Sequence, residues 1–245
     1  MQDVSTIVAV VVIVLLALSW HEAAHAWVAD RLGDPTARQL GRVTLNPLKH
    51  LDPWLSLGLP VLMYMTVGFA VGGGKPVPID PRYFRHQTRD FMLVALAGPF
   101  SNLLLAILFS VLLVVGLWTG WIPMATVENP YGADVEYAPS MTGVASDPPS
   151  PLFLWLQLGV LLNVLLAAFN LIPIPPLDGS RVIGWLLPRF AQRSWYRLDR
   201  VGILLVIAFL FLFDGFTYIQ IGIEAILSVY DEGFTWLLRA LDVAP

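Results

Sequence analysis

The chain has 245 residues, a net charge of −4 at pH 7 and no cysteine, and 57% of its residues are hydrophobic while only 13% are charged. Soluble domains carry about 25% charged residues, and several uncharged runs here reach the roughly 20 residues of a transmembrane helix. We therefore predict an integral membrane protein. The absence of cysteine excludes disulfides, thiolate catalysis and cysteine-bound zinc, so any zinc must be bound by histidine and carboxylate.

The first part of the chain alternates between a clear helix and segments with weaker patterns. Residues 4–30 predict one membrane helix, which we expect to be kept as an anchor because no signal-peptide cleavage site follows its apolar run. Residues 40–45 alternate apolar and polar side chains and predict a short strand. Residues 54–71 are uncharged, but their prolines and glycines make a continuous helix unfavourable. We therefore expect 54–71 to be a re-entrant segment within a cytoplasmic β/re-entrant region, 31–90.

The second part predicts further membrane helices around one exposed loop. We expect a helix over 91–121, an external loop over 122–150 and a second helix over 151–172. Prolines then break the chain in a cytoplasmic segment, 173–200, and one or two membrane helices follow in 201–230. The predicted fold class is an all-α polytopic membrane protein that forms a single domain over the whole chain.

The distribution of basic residues orients these helices. Thirteen of the fourteen basic residues fall in two windows, 31–90 and 181–200. Because basic loops stay on the cytoplasmic side, both windows should face the cytoplasm and the acidic loop should face outside. A full span over 54–71 would invert every later segment, which is why a re-entrant path is expected there.

Residues 20–27 read Trp-His-Glu-Ala-Ala-His-Ala-Trp and contain the pattern H-E-x-x-H at the end of the first helix. His21 and His25 are four residues apart on one helical face, so both imidazoles can bind one metal ion. Glu22 lies beside them, where it can take a proton from water during hydrolysis. A simpler alternative is that the two histidines cap a membrane helix at the headgroup level, but that alternative does not explain Glu22.

A catalytic zinc site needs a third protein ligand, and Asp178 is our choice. It lies between a run of prolines and a glycine, where the chain breaks near the inner end of the 151–172 helix. Its alternative role is to cap a helix that begins at residue 180. Asp30 and Asp34 are weaker candidates because they follow the HEAAH motif too closely for the chain to fold back. Asp214 is weaker because we expect it to lie deeper in the membrane or at its other face.

Two amides in apolar segments, Asn102 and Asn170, are candidate donors to a developing oxyanion. An unpaired amide is costly in such a segment, so hydrogen bonding between helices is an equally good explanation for both. His50 lies in a polar window without ligand spacing, and we expect it to belong to a turn or a substrate loop.

The motifs together resemble the site-2 protease family of intramembrane zinc metalloproteases. The resemblance is carried by residues 21–25 (HEAAH), 46–50 (NPLKH), 75–78 (KPVP), 97–102 (AGPFSN) and 170–179 (NLIPIPPLDG), which follow the family's order. The last motif is much more specific than H-E-x-x-H alone. The resemblance covers roughly residues 8–190.

The resemblance implies a three-helix core that holds one Zn²⁺ per chain, with a small β element. His21, His25 and Asp178 would be the zinc ligands and Glu22 the catalytic base. The substrate would be a membrane-spanning protein within the lipid bilayer of a prokaryotic cytoplasmic membrane, with no nucleic acid involved. The chain resembles the minimal form, without PDZ or CBS modules. The alternatives are a membrane transporter or channel, and a catalytically silent binding module of the same family.

The edge of the strand at 40–45 could pair with an unwound substrate segment. A helical peptide bond is shielded by its own hydrogen bonds, so a substrate inside the membrane must be locally extended before attack.

Overall fold

The computed structural model describes residues 4–58, 73–122, 125–127, 135–137 and 150–241, and helices dominate this part of the chain. The α-helices are α1 (Val4–Arg31), α2 (Thr36–Gln39), α3 (Gln87–Trp118), α4 (Pro151–Asn170), α5 (Gly179–Leu186), α6 (Arg189–Arg197), α7 (Gly202–Leu212) and α8 (Gly215–Ala240). Single helical turns lie at Pro47–Lys49, Pro53–Gly58, Pro81–Tyr83 and Leu198–Val201.

Three of these helices are long and apolar enough to cross a membrane: α1, α3 and α4. Many of their large apolar side chains point outward, among them Val11, Leu108 and Leu161. Such side chains lose little when lipid covers them and much when water does. The end of α7 and the start of α8 meet at 87°, at a break that contains Asp214. The C-terminal region is therefore two helices joined by a sharp bend, which counts as at most one further span.

The small β element that we predicted over residues 40–45 is wrong. Helix α2 ends there in a turn, and Gly41 has a φ of 64°. The alternation was too short to specify a strand, since Val43 packs with the apolar side chains of Ala26 and Ala37 instead. Arg42 uses its side chain, not a strand ladder, to contact a neighbouring segment.

A two-stranded antiparallel ribbon lies elsewhere, where Ala125–Val127 pairs with Val135–Tyr137. It belongs to the segment that we expected to be an external loop. Of the expected re-entrant segment, residues 59–71 lie outside the described part of the chain. Residues 54–58 belong to the helical turn Pro53–Gly58.

The chain divides into two compact units. The first comprises Met1–Ile13, Leu103–Leu165 and Thr217–Pro245. Its core is formed by buried apolar side chains that α3, α4 and α8 contribute, including Leu113, Val160 and Leu227.

The second unit comprises Val14–Asn102 and Leu166–Phe216 and contains every residue of the HEAAH and LDG motifs. Residues 73–80, which we call the strap, form neither helix nor strand in this unit. Val77 and Ile79 of the strap pack against Ala26 of α1 and Ala37 of α2. Pro76 and Pro78 disfavour a helix here, because proline restricts both its own φ and the residue before it.

Candidate metal centre

Helix α1 brings His21 and His25 together on one buried face. Their Nε2 atoms are 3.0 Å apart, as expected for residues spaced by four on a helix. Asp178 Oδ2 lies 3.2 Å from His21 Nε2 and 3.4 Å from His25 Nε2. Two tetrahedral zinc ligands with bonds of about 2.0–2.1 Å are separated by about 3.3 Å. The three atoms therefore already have the spacing of three corners of a zinc tetrahedron.

Hydrogen bonds at the other ring nitrogens determine which way the imidazoles present their lone pairs. His25 Nδ1 lies 2.7 Å from the carbonyl oxygen of Val94, which can only accept, so Nδ1 carries the proton. His21 Nδ1 lies 2.6 Å from Asn102 Oδ1, and Asn102 Nδ2 in turn donates to the Ala17 carbonyl. Both Nε2 atoms are then free to bind a metal ion, the usual arrangement around metal-ligating histidines.

Helix α3 leaves room for the imidazoles at Gly98. A Cβ atom added there would lie 2.4 Å from His25 Nε2 and 2.6 Å from His21 Cε1. The next residue, Pro99, lies inside the helix and has no N–H for the carbonyl of Ala95. The carbonyl that serves His25 belongs to the neighbouring residue, Val94. The motif at 97–102 thus shapes the wall opposite the two histidines.

Asp178 reaches the histidines from the broken segment after α4. Gly179 permits the chain to fold back there, because an added Cβ would lie 2.1 Å from the Leu171 carbonyl oxygen. At the start of α5, Asp178 makes no side-chain capping hydrogen bond. The alternative role of helix cap is therefore not the one that its carboxylate adopts.

Glu22 lies next to the histidines but takes no part in the triangle. It is 9% exposed, and its Oε2 accepts a hydrogen bond of 3.1 Å from Val77 N–H of the strap. A Cβ added at Gly74 would lie 3.3 Å from Glu22 Oε1. The strap thus borders both oxygens of this carboxylate.

The other candidates are not members of this group of ligands. Asn170 donates to the Leu166 carbonyl in its own helix. Asp30 pairs with Arg38, Asp34 accepts from the Asp80 N–H, and Asp214 is exposed at the bend before α8. His50 is buried and bonds the Thr44 carbonyl. None of these residues joins the cluster of metal-binding groups, whose members among the described residues are His21, His25 and Asp178.

Sequence reasoning missed three features of this centre: the Val94 carbonyl, the space at Gly98 and the Val77 N–H. Every residue has a backbone carbonyl, and every residue but proline has an N–H. The sequence therefore could not predict that those of Val94 and Val77 would serve the site. Gly98 stood in a recognised motif, and a glycine beside a proline within an apolar helix was a usable signal of close approach.

The cluster needs a positive charge at its centre. Two imidazole lone pairs and one carboxylate oxygen converge on one point, and without a cation or proton they repel one another. Catalytic zinc sites use three protein ligands, often two histidines and one carboxylate, and keep the fourth position open. The residues present therefore fit a zinc ion.

Comparisons with known proteins agree with this geometry. The family model of peptidase family M50 matches residues 8–213. The chain is 35% identical over 203 residues to a Bacillus subtilis protein named "Putative zinc metalloprotease YwhC", covering 83% of this chain and 78% of that protein.

A second relative is "Putative zinc metalloprotease Rip2" of Mycolicibacterium smegmatis, which is 33% identical over 198 residues. That match covers 80% of this chain and 64% of the relative, so the chain spans just under two thirds of Rip2. No solved structure matches the chain significantly. On the extent of the family match, supported by the apolar helices, the chain belongs to peptidase family M50, the site-2 protease family, and is an integral membrane protein.

Proposed function

We propose that this protein is an intramembrane zinc metalloendopeptidase, which hydrolyses peptide bonds of membrane-spanning proteins. The observation that carries the proposal is the convergence of His21, His25 and Asp178 beside the buried carboxylate of Glu22. All of these groups except Asp178 lie on an apolar helix long enough to cross a bilayer. Ionisable groups in such a position are costly and are retained for function.

In this proposal His21, His25 and Asp178 hold one zinc ion, which supplies Lewis acidity to the reacting water and carbonyl. Glu22 takes a proton from the attacking water and later delivers it to the leaving amine. The Val77 N–H holds Oε2 of Glu22 and leaves Oε1 free of any hydrogen bond within the described residues. Burial of the site restricts bulk water and strengthens these interactions.

The two candidate amides receive different roles. Asn102 uses its amide oxygen on His21 and its amide nitrogen on Ala17, so we assign it to the orientation of His21 rather than to the oxyanion. Asn170 donates one N–H to Leu166 of its own helix and, among the described residues, holds no zinc ligand, so its second N–H can serve the substrate. We therefore propose Asn170 as the oxyanion donor.

The distribution of basic residues indicates how the protein is oriented in its membrane. With the basic windows 31–90 and 181–200 on the inside, the zinc ligands lie towards the cytoplasmic side of the membrane. We propose the cytoplasmic membrane of a prokaryote as its location and a single-span protein as the simplest substrate.

The test is zinc content together with cleavage of a single-span substrate by the purified protein in detergent. His25→Ala and Asp178→Asn should lose zinc and cleavage together, because each removes a ligand. Glu22→Gln should keep zinc and lose cleavage, because only the proton acceptor has gone. His86→Ala is the control, since His86 is exposed and lies outside the cluster. A Glu22→Gln protein with normal rates would refute the mechanism, and a zinc-free wild type would favour a transporter or a silent module.

A further inference from the structure

The strap determines where the carboxylate of Glu22 points. Val77 N–H donates to Oε2, and Gly74 lies against Oε1. Pro76 and Pro78 flank Val77 and have no N–H, so no neighbouring donor can replace this hydrogen bond. A displaced strap would leave Glu22 without its partner.

Hydrogen bonds on both sides of Val77 hold the strap in place. On the far side, Asp80 N–H donates to Asp34 Oδ2 at 2.7 Å. On the near side, Lys75 N–H donates to the His50 carbonyl at 2.7 Å, and Arg42 Nη2 donates to the Lys75 carbonyl at 2.6 Å. Lys75 is two residues from Val77, so a change at Lys75 moves the group that holds Glu22.

Arg42 is an unusual anchor because it is buried without an acidic partner. It is 7% exposed, and within the described residues it forms no ion pair. Its Nε also has no hydrogen-bond partner there. A buried guanidinium with so few acceptors costs stability, and an apolar side chain would fill the space more cheaply. Stability alone is therefore a poor reason for Arg42 to be there.

We propose that Arg42 is a positioning residue for the catalytic base: through the Lys75 carbonyl it holds the strap so that Val77 N–H aims the carboxylate of Glu22. In the described part of the chain, Arg42 itself forms no hydrogen bond with the metal ligands or with Glu22. The inference rests on the proposed role of Glu22, but its first test does not need proteolysis.

The first test measures the position of the strap. The chain has no cysteine, so a single Val77→Cys substitution gives a unique thiol at a position that is 8% exposed. Arg42→Gln in this background should raise the rate of maleimide labelling about tenfold or more, because the strap opens locally. Arg38→Gln is the matched control, since Arg38 is exposed, pairs with Asp30 and, among the described residues, forms no hydrogen bond or ion pair with the strap.

A second single cysteine separates local release from unfolding. Val160→Cys lies in the core of the other compact unit and is 1% exposed. Its labelling should not change in the Arg42→Gln protein. If labelling at 160 rises together with labelling at 77, the protein unfolds and Arg42 is a structural residue only. If labelling at 77 stays at the control rate, the strap does not depend on Arg42. Either result overturns the proposal.

The second test is kinetic. Arg42→Gln should lower kcat by up to about 100-fold, because a misplacement of about 1 Å at a reacting centre costs about that factor, while zinc content and KM stay near their wild-type values. Arg42→Lys should recover part of the loss, because an ammonium group can still donate to the Lys75 carbonyl. A fall in zinc content equal to the fall in kcat would contradict the proposal. An active Glu22→Gln protein would instead refute the proposed mechanism and leave the labelling result untouched.

Discussion

Replacement of Gly98 by alanine tests whether the two imidazoles and helix α3 are packed as closely as a metal centre requires. The added Cβ would lie 2.4 Å from His25 Nε2 and 2.6 Å from His21 Cε1, whereas ordinary contacts begin near 3.4 Å. Relief of the closest contact requires a shift of about 1 Å. Zinc–nitrogen bonds tolerate only about 0.2 Å, so the imidazoles cannot move that far and still bind the ion as a pair.

The size of the effect follows from this displacement. A misplacement of about 1 Å at a reacting centre costs about 10²-fold in rate, and we expect the kcat of Gly98→Ala to fall by at least that factor. Its zinc affinity should fall as well, because the two imidazoles can no longer both reach the ion. Overpacking should also destabilise the fold by about 1–3 kcal/mol. Helix propensity predicts the opposite sign, since alanine in place of a helical glycine stabilises by about 1 kcal/mol.

Gly222→Ala provides the matched control. Gly222 also lies inside a helix, α8, but an added Cβ there meets no atom within 4 Å. This variant should keep its zinc and unfold at the same or a slightly higher temperature. The assay is zinc content after dialysis against a graded series of free zinc, together with thermal unfolding in detergent. Full zinc binding by Gly98→Ala at wild-type affinity would show that the histidines do not lie against α3.

The two amides give the remaining substitution predictions. Asn102→Ala removes the acceptor that holds His21 Nδ1 and should weaken zinc binding about 10–100-fold, so excess zinc should restore part of its activity; a loss that zinc does not restore would contradict the role. Asn170→Ala should lower kcat about 10²–10³-fold with zinc retained if the amide stabilises the oxyanion, whereas loss of the folded protein would support a role in helix packing.

The parts of the site that sequence predicted are those in which residue type alone limits the chemistry. Ionisable residues in an apolar helix are costly unless they have a function, which applies to the two histidines and the glutamate of HEAAH. Helical geometry then places the imidazoles together, because the histidines are four residues apart. Asp178 was the sole acidic residue at the right place in a recognised motif. The long helices were also predictable, since uncharged runs of this length have few alternatives in a membrane protein.

The parts that sequence did not predict depend on contacts between distant segments. The strand over 40–45 was inferred from alternation, but the packing of Val43 and the contact of Arg42 with the strap determine the structure there. Arg42 is one of the polar residues of that alternation, and it is buried. Asn102 was recognised as a costly polar group, yet its partner, His21, lies 81 residues away along the chain. Local pattern carries no information about such pairs.

The contacts at the metal centre also bear on the path of the chain through the membrane. Along α1 the order is Ala17, His21, His25, and their partners on α3 run in the reverse order, from Asn102 to Val94. The two helices are therefore antiparallel, and the end of α1 lies beside the start of α3. A chain that leaves α1 on one side of the membrane must return to that side before α3 begins. We therefore predict that residues 32–86 start and end on the same face of the membrane. A re-entrant segment over 54–71 would satisfy this condition, and a single full span there would not.

Single-cysteine labelling tests this path, and the charges predict the side. Eight basic residues lie in 31–90 and five in 181–200, so both windows should be cytoplasmic. Helix α3 has 32 residues and a length of about 48 Å, enough to carry Trp121 to the opposite face. Cysteines at the exposed positions 49 and 82 should therefore react with an impermeant maleimide only from the cytoplasmic side. A cysteine at position 121, which is 79% exposed, should react only from outside. Because the chain has no cysteine of its own, any labelling comes from the single introduced thiol. Labelling of positions 49 and 82 from opposite faces would mean that 54–71 crosses the membrane, and the antiparallel pairing of α1 with α3 would then be wrong.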